Sequence, residues 1–135
     1  EGISTDSRKV KPGELFIPAV AQGAIAVECR KDDTDVVELL AKINHQVSFW
    51  STSAERGFLN EIEGGCQIPV GCIANVIAGQ ISLRGIVASL DGKECYTASI
   101  EGDCQKAEFL GRKLARQLLN SGAKKVLAEI RNTGE

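Results

Sequence analysis

Five cysteines and one histidine hold most of the reactive chemistry of this 135-residue chain: Cys29, Cys66, Cys72, Cys95, Cys104 and His45. A thiolate can ligate a metal, form a disulfide or act as a nucleophile, and spacing separates these uses. There is no C-x-x-C pair, and the interval from Cys66 to Cys72 does not match a zinc knuckle, so no metal site is expected. An odd cysteine count with no visible signal peptide argues for reduced thiols in a reducing compartment, and the expected location is cytoplasmic. Cys66 stands apart because of its surroundings, "EGGCQIPVG", with two glycines before it and Pro69 three residues later. Glycine tolerates backbone conformations closed to other residues and proline forces its predecessor towards an extended shape, so Cys66 is expected on a shaped loop. Such a thiol is either a small apolar group tucked against a neighbour or a nucleophile presented to a ligand.

The elements that position this loop can be read from hydropathy patterns. "DDTDVVELLAKIN" begins with Asp33 or Thr34 as a cap and sets Val36, Val37, Leu39, Leu40 and Ile43 on one helical face. "HQVSFWSTSAERGFLNEIE" continues as a second helix that delivers the chain to Gly64, with Trp50 and Phe58 expected in the core and His45 as a linker residue. Beyond the loop the period becomes two. Val70, Cys72, Ala74 and Val76 share one side of a strand, "IAGQ" turns through Gly79, Ile81–Ser89 forms a second strand, and Asp91-Gly92 turns into a third over Lys93–Ile100. "DCQKAEFLGRKLARQLLNSG" reads as a helix stopped by Gly122, followed by a short apolar end, "VLAEI". The fold class expected is α+β: a three-stranded antiparallel sheet covered by helices on one face.

The first part of the chain does not fit that domain. Residues 1–16 read as a polar arm, and "IPAVAQGAIAVECR" reads as a strand apolar on both faces, the mark of burial between layers. The expected division is therefore 1–31, an arm and a strand belonging to a neighbouring domain, and 32–135, a domain of its own. With 16 basic and 18 acidic residues the formal net charge is −2, which gives no pull towards nucleic acid or an anionic membrane. No apolar run is long enough to span a bilayer.

From Pro18 to about Arg131 the chain resembles the C-terminal part of the porphobilinogen deaminase family, also called hydroxymethylbilane synthases. "PAVAQGAIAVECR", "AERGFLNEIEGGCQIPVG", "LRGIVASLDG" and "LGRKLARQLLNSGA" follow the family's pattern in order and at its spacing, and the glycine-glycine-cysteine loop is its most specific mark. The residues before Phe16 depart from it and look more like the opening of a Mur ligase. The resemblance implies a transferase of tetrapyrrole (heme) biosynthesis, with Cys66 attaching a dipyrromethane cofactor through a thioether and Gly65 beside it among the cofactor-binding residues. It further implies that Gln22, Gly23 and Ala24 lie near that cofactor.

In this family the anchored dipyrrole primes the head-to-tail addition of four porphobilinogen units, and a thiolate suits the anchor because sulfur is a soft nucleophile. The catalytic aspartate and most of the arginines belong to N-terminal domains that no segment of this chain matches. The expected partners are thus those domains and porphobilinogen, and the chain alone is expected to be inactive. The competing reading is a binding or interaction module that keeps the fold and has lost the reaction. Without the resemblance Cys66 would be read as a structural thiol, and Cys29, Cys72, Cys95 and Cys104 are so read here.

Overall fold

The computed structural model describes residues 17–62 and 69–133, with side chains through Ile130. The polar arm over 1–16 and the loop residues Gly65 and Cys66 lie outside the described residues. The described elements are α1 (Thr34–Ile43), α2 (Gln46–Ile62), β1 (Val70–Ile77), β2 (Gln80–Ala88), β3 (Cys95–Asp103), α3 (Ala107–Leu118) and α4 (Lys124–Thr133), with a 3₁₀ turn at Cys104–Lys106 leading into α3.

The three strands form an antiparallel meander in the order β1-β2-β3. Its first turn holds Ala78 and Gly79, both at positive φ (49° and 79°), which matches the right-handed twist of the flanking strands. The second turn is fastened by Asp91, which accepts the Ser89 hydroxyl at 2.6 Å and the Lys93 amide at 3.2 Å. β3 runs three residues beyond the expected Ile100, because Gln80 pairs with Asp103 and the ladder with β2 continues to that point.

Helices α2 and α3 cover one face of the sheet. Phe58, Ile62, Leu110, Leu114 and Leu118 are buried there against Cys72, Ile81, Leu83 and Val87. The alternation expected for β1 holds, and Phe58 lies in the core with Trp50 packed at its margin. Two glycines let α2 and α3 approach closely: a Cβ on Gly111 would stand 1.9 Å from the Ala54 carbonyl oxygen, and one on Gly57 would stand 2.5 Å from that of Glu108. After Gly122, at φ 127°, the apolar end is a further helix and not a short tail: α4 buries Val126 and Leu127.

Two apolar segments stay outside this core. Asp33 caps α1 as expected, its side chain accepting the Val36 amide at 3.3 Å, yet α1 buries no residue and Ile43 is 72% exposed. Residues 24–30 take no part in the sheet, and Ile25 is 96% exposed. The strand expected over 17–30 therefore does not form: residues 20–23 make a turn and residues 24–30 take no regular structure, with no strand beside them among the described residues. Burial begins in α2.

Candidate functional site

The turn over residues 20–23, closed at Ala24, carries the residues Gln22, Gly23 and Ala24 that sequence reasoning singled out. It is closed by Gln22 N–H to the Ala19 carbonyl (3.3 Å) and Ala24 N–H to that of Ala21 (3.2 Å). Ala21 at φ 55° and Gly23 at φ 82° both occupy the left-handed region, which glycine enters freely and alanine only at a cost. All three residues are exposed, and a Cβ built on Gly23 would meet no atom within 4 Å. The backbone here can be approached closely by a ligand.

Glu55 holds this turn. One carboxylate oxygen, Oε2, accepts the Ala21 amide at 2.7 Å, and the other, Oε1, accepts the Ala74 amide of β1 at 3.0 Å. Among the described residues β1 has β2 on one side only, so Glu55 satisfies a donor of an edge strand and ties a remote turn to it. Glu55 is 9% exposed, and burial pushes its carboxyl above the ordinary glutamate value while the two amide bonds pull it partly back. Sequence reasoning missed this residue. The available signal was its place on the apolar stripe of α2, three residues before Phe58 and seven before Ile62.

A second contact runs alongside. The carbonyls of Ile17 and Pro18 approach Gly71, where a Cβ would stand 2.9 and 2.8 Å from them. Gly71 and Ala74 thus receive residues 17–18 and 21 in the same order, so the segment leading to the turn follows β1. The cysteine loop joins the end of α2 at Ile62 to the start of β1 at Val70. The structure thereby places the Gln22–Ala24 turn on the strand that this loop enters; Cys66 itself is outside the described residues.

The described thiols divide cleanly. Cys72 and Cys104 are buried. Burial, with the Glu55 carboxylate nearby, pushes the Cys72 thiol far up, and burial with the Asp103 charge does the same in kind for Cys104. Neither supplies a thiolate near neutral pH. Cys29 and Cys95 are exposed, Cys29 in the segment that precedes α1 and Cys95 at the start of β3. His45 caps the first turn of α2, with Nδ1 2.9 Å from the Ser48 hydroxyl, in keeping with a linker role. Arg84 is exposed on β2. A groove of about 570 Å³ opens between the 23–27 segment, the end of α1 and the start of α2, lined by Ala24, Ile25, Val27, Ile43, Phe49 and Arg56 among others.

Residues 49–120 match the family described as porphobilinogen deaminase, C-terminal domain. The chain is also similar to the porphobilinogen deaminase of Syntrophomonas wolfei, 52% identical over 120 residues, which is 89% of this chain and 39% of that relative. The chain thus spans about two fifths of the length of that relative.

Proposed function

The chain belongs to the porphobilinogen deaminase family through its C-terminal domain, and from that premise we propose that it is the portion of such an enzyme that carries a covalent dipyrromethane on Cys66. The observation that supports this reading most is that the family match, over residues 49–120, spans the positions of Gly64, Gly65 and Cys66. The described thiols agree with it, since Cys72 and Cys104 are buried with their thiols held protonated. The turn also fits a neighbouring pyrrole, because Gly23 leaves open space where a side chain would stand.

The roles follow from the chemistry. Cys66, as a thiolate, would hold the group by adding to the electrophilic azafulvene carbon left when porphobilinogen loses ammonia, giving a thioether that water does not cleave, with Gly65, which carries no Cβ, next to it in sequence. When bound, the dipyrromethane supplies the primer to which four porphobilinogen units are added before the product, hydroxymethylbilane, is released. Gln22, Gly23 and Ala24 would border it. The carboxylates of the growing chain need cationic partners and each step needs an acid; these come from the N-terminal domains of the same enzyme. Those domains also cover the exposed apolar side chains of residues 24–30 and of α1, in keeping with an arm and strand over 1–31 shared with a neighbour and a cofactor domain over 32–135, with residues 17–21 lying along β1 of the latter. The enzyme works in the cytoplasm; among the described residues no helix is long and apolar enough to cross a membrane.

Reconstitution tests the proposal. The chain is joined to the N-terminal domains of the relative, and consumption of porphobilinogen is followed for the wild type and for Cys66→Ser. Turnover in the first and none in the second is expected. Equal turnover in both overturns the assignment.

A further inference from the structure

We propose that Glu55 is a positioning residue: its carboxylate bridges the Ala21 and Ala74 amides and so fixes the Gln22–Ala24 turn against the edge of β1. The inference rests on the reading that this turn borders the cofactor, and it deepens it by naming what sets the turn's place.

Four observations carry it. The two bonds, 2.7 and 3.0 Å, use both oxygens of one side chain and join segments 53 residues apart in sequence, Ala21 and Ala74. Ala21 holds a left-handed conformation, φ 55°, which an alanine does not keep without an external constraint. The other bonds within the turn are local and longer, at 3.2 and 3.3 Å, so they shape the turn without locating it. Glu55 stands in the middle of α2, whose position is fixed by the close approaches at Gly57 and Gly111, so the anchor is itself rigid. A carboxylate suits this place because it accepts at both oxygens, whereas an amide of the same shape offers one acceptor and one donor.

The test uses this chain, uniformly labelled, by NMR. In the wild type, through-hydrogen-bond couplings are expected from the Ala21 and Ala74 amide nitrogens to the Glu55 carboxyl carbon, a measurement that requires no variant. In Glu55→Gln, amide exchange at residues 21–24 is expected to accelerate about ten- to a hundredfold, the size expected for losing one charge-assisted bond, while the backbone chemical shifts move at residues 21–24 and stay at wild-type positions at Phe58, Leu83 and Leu114. Absent couplings in the wild type overturn the proposal. So do shift changes in Glu55→Gln spread evenly over turn and core, because they mark a residue of merely general structural value. Mapping of the adduct on Cys66 is a separate measurement, so a bare thiol would sink the functional reading while leaving the result for Glu55 intact.

Discussion

Replacing Gly111 by alanine tests the packing that orients the site. In a solvent-exposed helix this change adds helix propensity and stabilises by about 1 kcal/mol. At Gly111 the sign should reverse. The new Cβ would stand 1.9 Å from the Ala54 carbonyl oxygen and 2.8 Å from the Phe58 amide nitrogen, both backbone atoms that no rotamer change can move. Ordinary contact begins near 3.4 Å, so α2 and α3 must part by about 1.5 Å along that line. Overpacking of this kind costs about 2–3 kcal/mol, which leaves a net loss of about 1–2 kcal/mol after the propensity gain. For a domain of this size that lowers the melting temperature by about 4–10 °C. Because α2 carries Glu55 and leads into the cysteine loop, the loss should come with faster amide exchange in the Gln22–Ala24 turn. Thermal unfolding by circular dichroism, beside exchange data, provides the measurement. A variant that melts higher than the wild type would refute the reasoning, since it would mean that the helices do not meet at this glycine.

Iodoacetamide applied to the folded chain should alkylate Cys29 and Cys95 promptly and spare Cys72 and Cys104 until denaturant is added, as peptide mass mapping would reveal. Stability should also report the environment of Glu55. Its carboxyl is raised on folding from 4.5, so the folded state binds the proton more tightly; that contribution is full below the unfolded value and is lost as pH rises through the folded one. Glu61, lowered by the Arg116 hydrogen bond, acts in the opposite sense, with stability lost as pH falls. Denaturant midpoints of wild type minus Glu55→Gln, taken from pH 4 to 7, isolate the first effect and should fall with rising pH; a flat difference would contradict it. Incubated by itself with porphobilinogen, the chain should yield no sustained hydroxymethylbilane, and continued product formation would show that the acid and cations assigned to other domains are present here.

The meander was legible because its period, its Gly79 and Asp91-Gly92 turns and its flanking helices all agreed. α4 was not, because Gly122 reads as a stop in sequence; in the fold it occupies φ 127° beside the Tyr96 ring and the helix resumes after it. The "IPAVAQGAIAVECR" segment illustrates a different limit. Its apolar character was visible, but strand formation depends on a partner edge, and hydropathy alone does not supply one. Of the candidate site, Gln22, Gly23 and Ala24 could be named from the resemblance, whereas Glu55 could not. A single acid on a helix carries no sign of which backbone donors it will meet, and both of its partners lie far away in sequence.

The central claim, that Cys66 carries a dipyrromethane through a thioether, is tested most directly by mass. The chain is expressed within a complete enzyme that retains the N-terminal domains, purified, and measured intact and after proteolysis. A single dipyrrole increment on the peptide containing Cys66, stable to hydroxide and absent from Cys66→Ser, is the predicted result. A bare thiol at Cys66 in an enzyme that turns over porphobilinogen, or the same increment on a different residue, would contradict it.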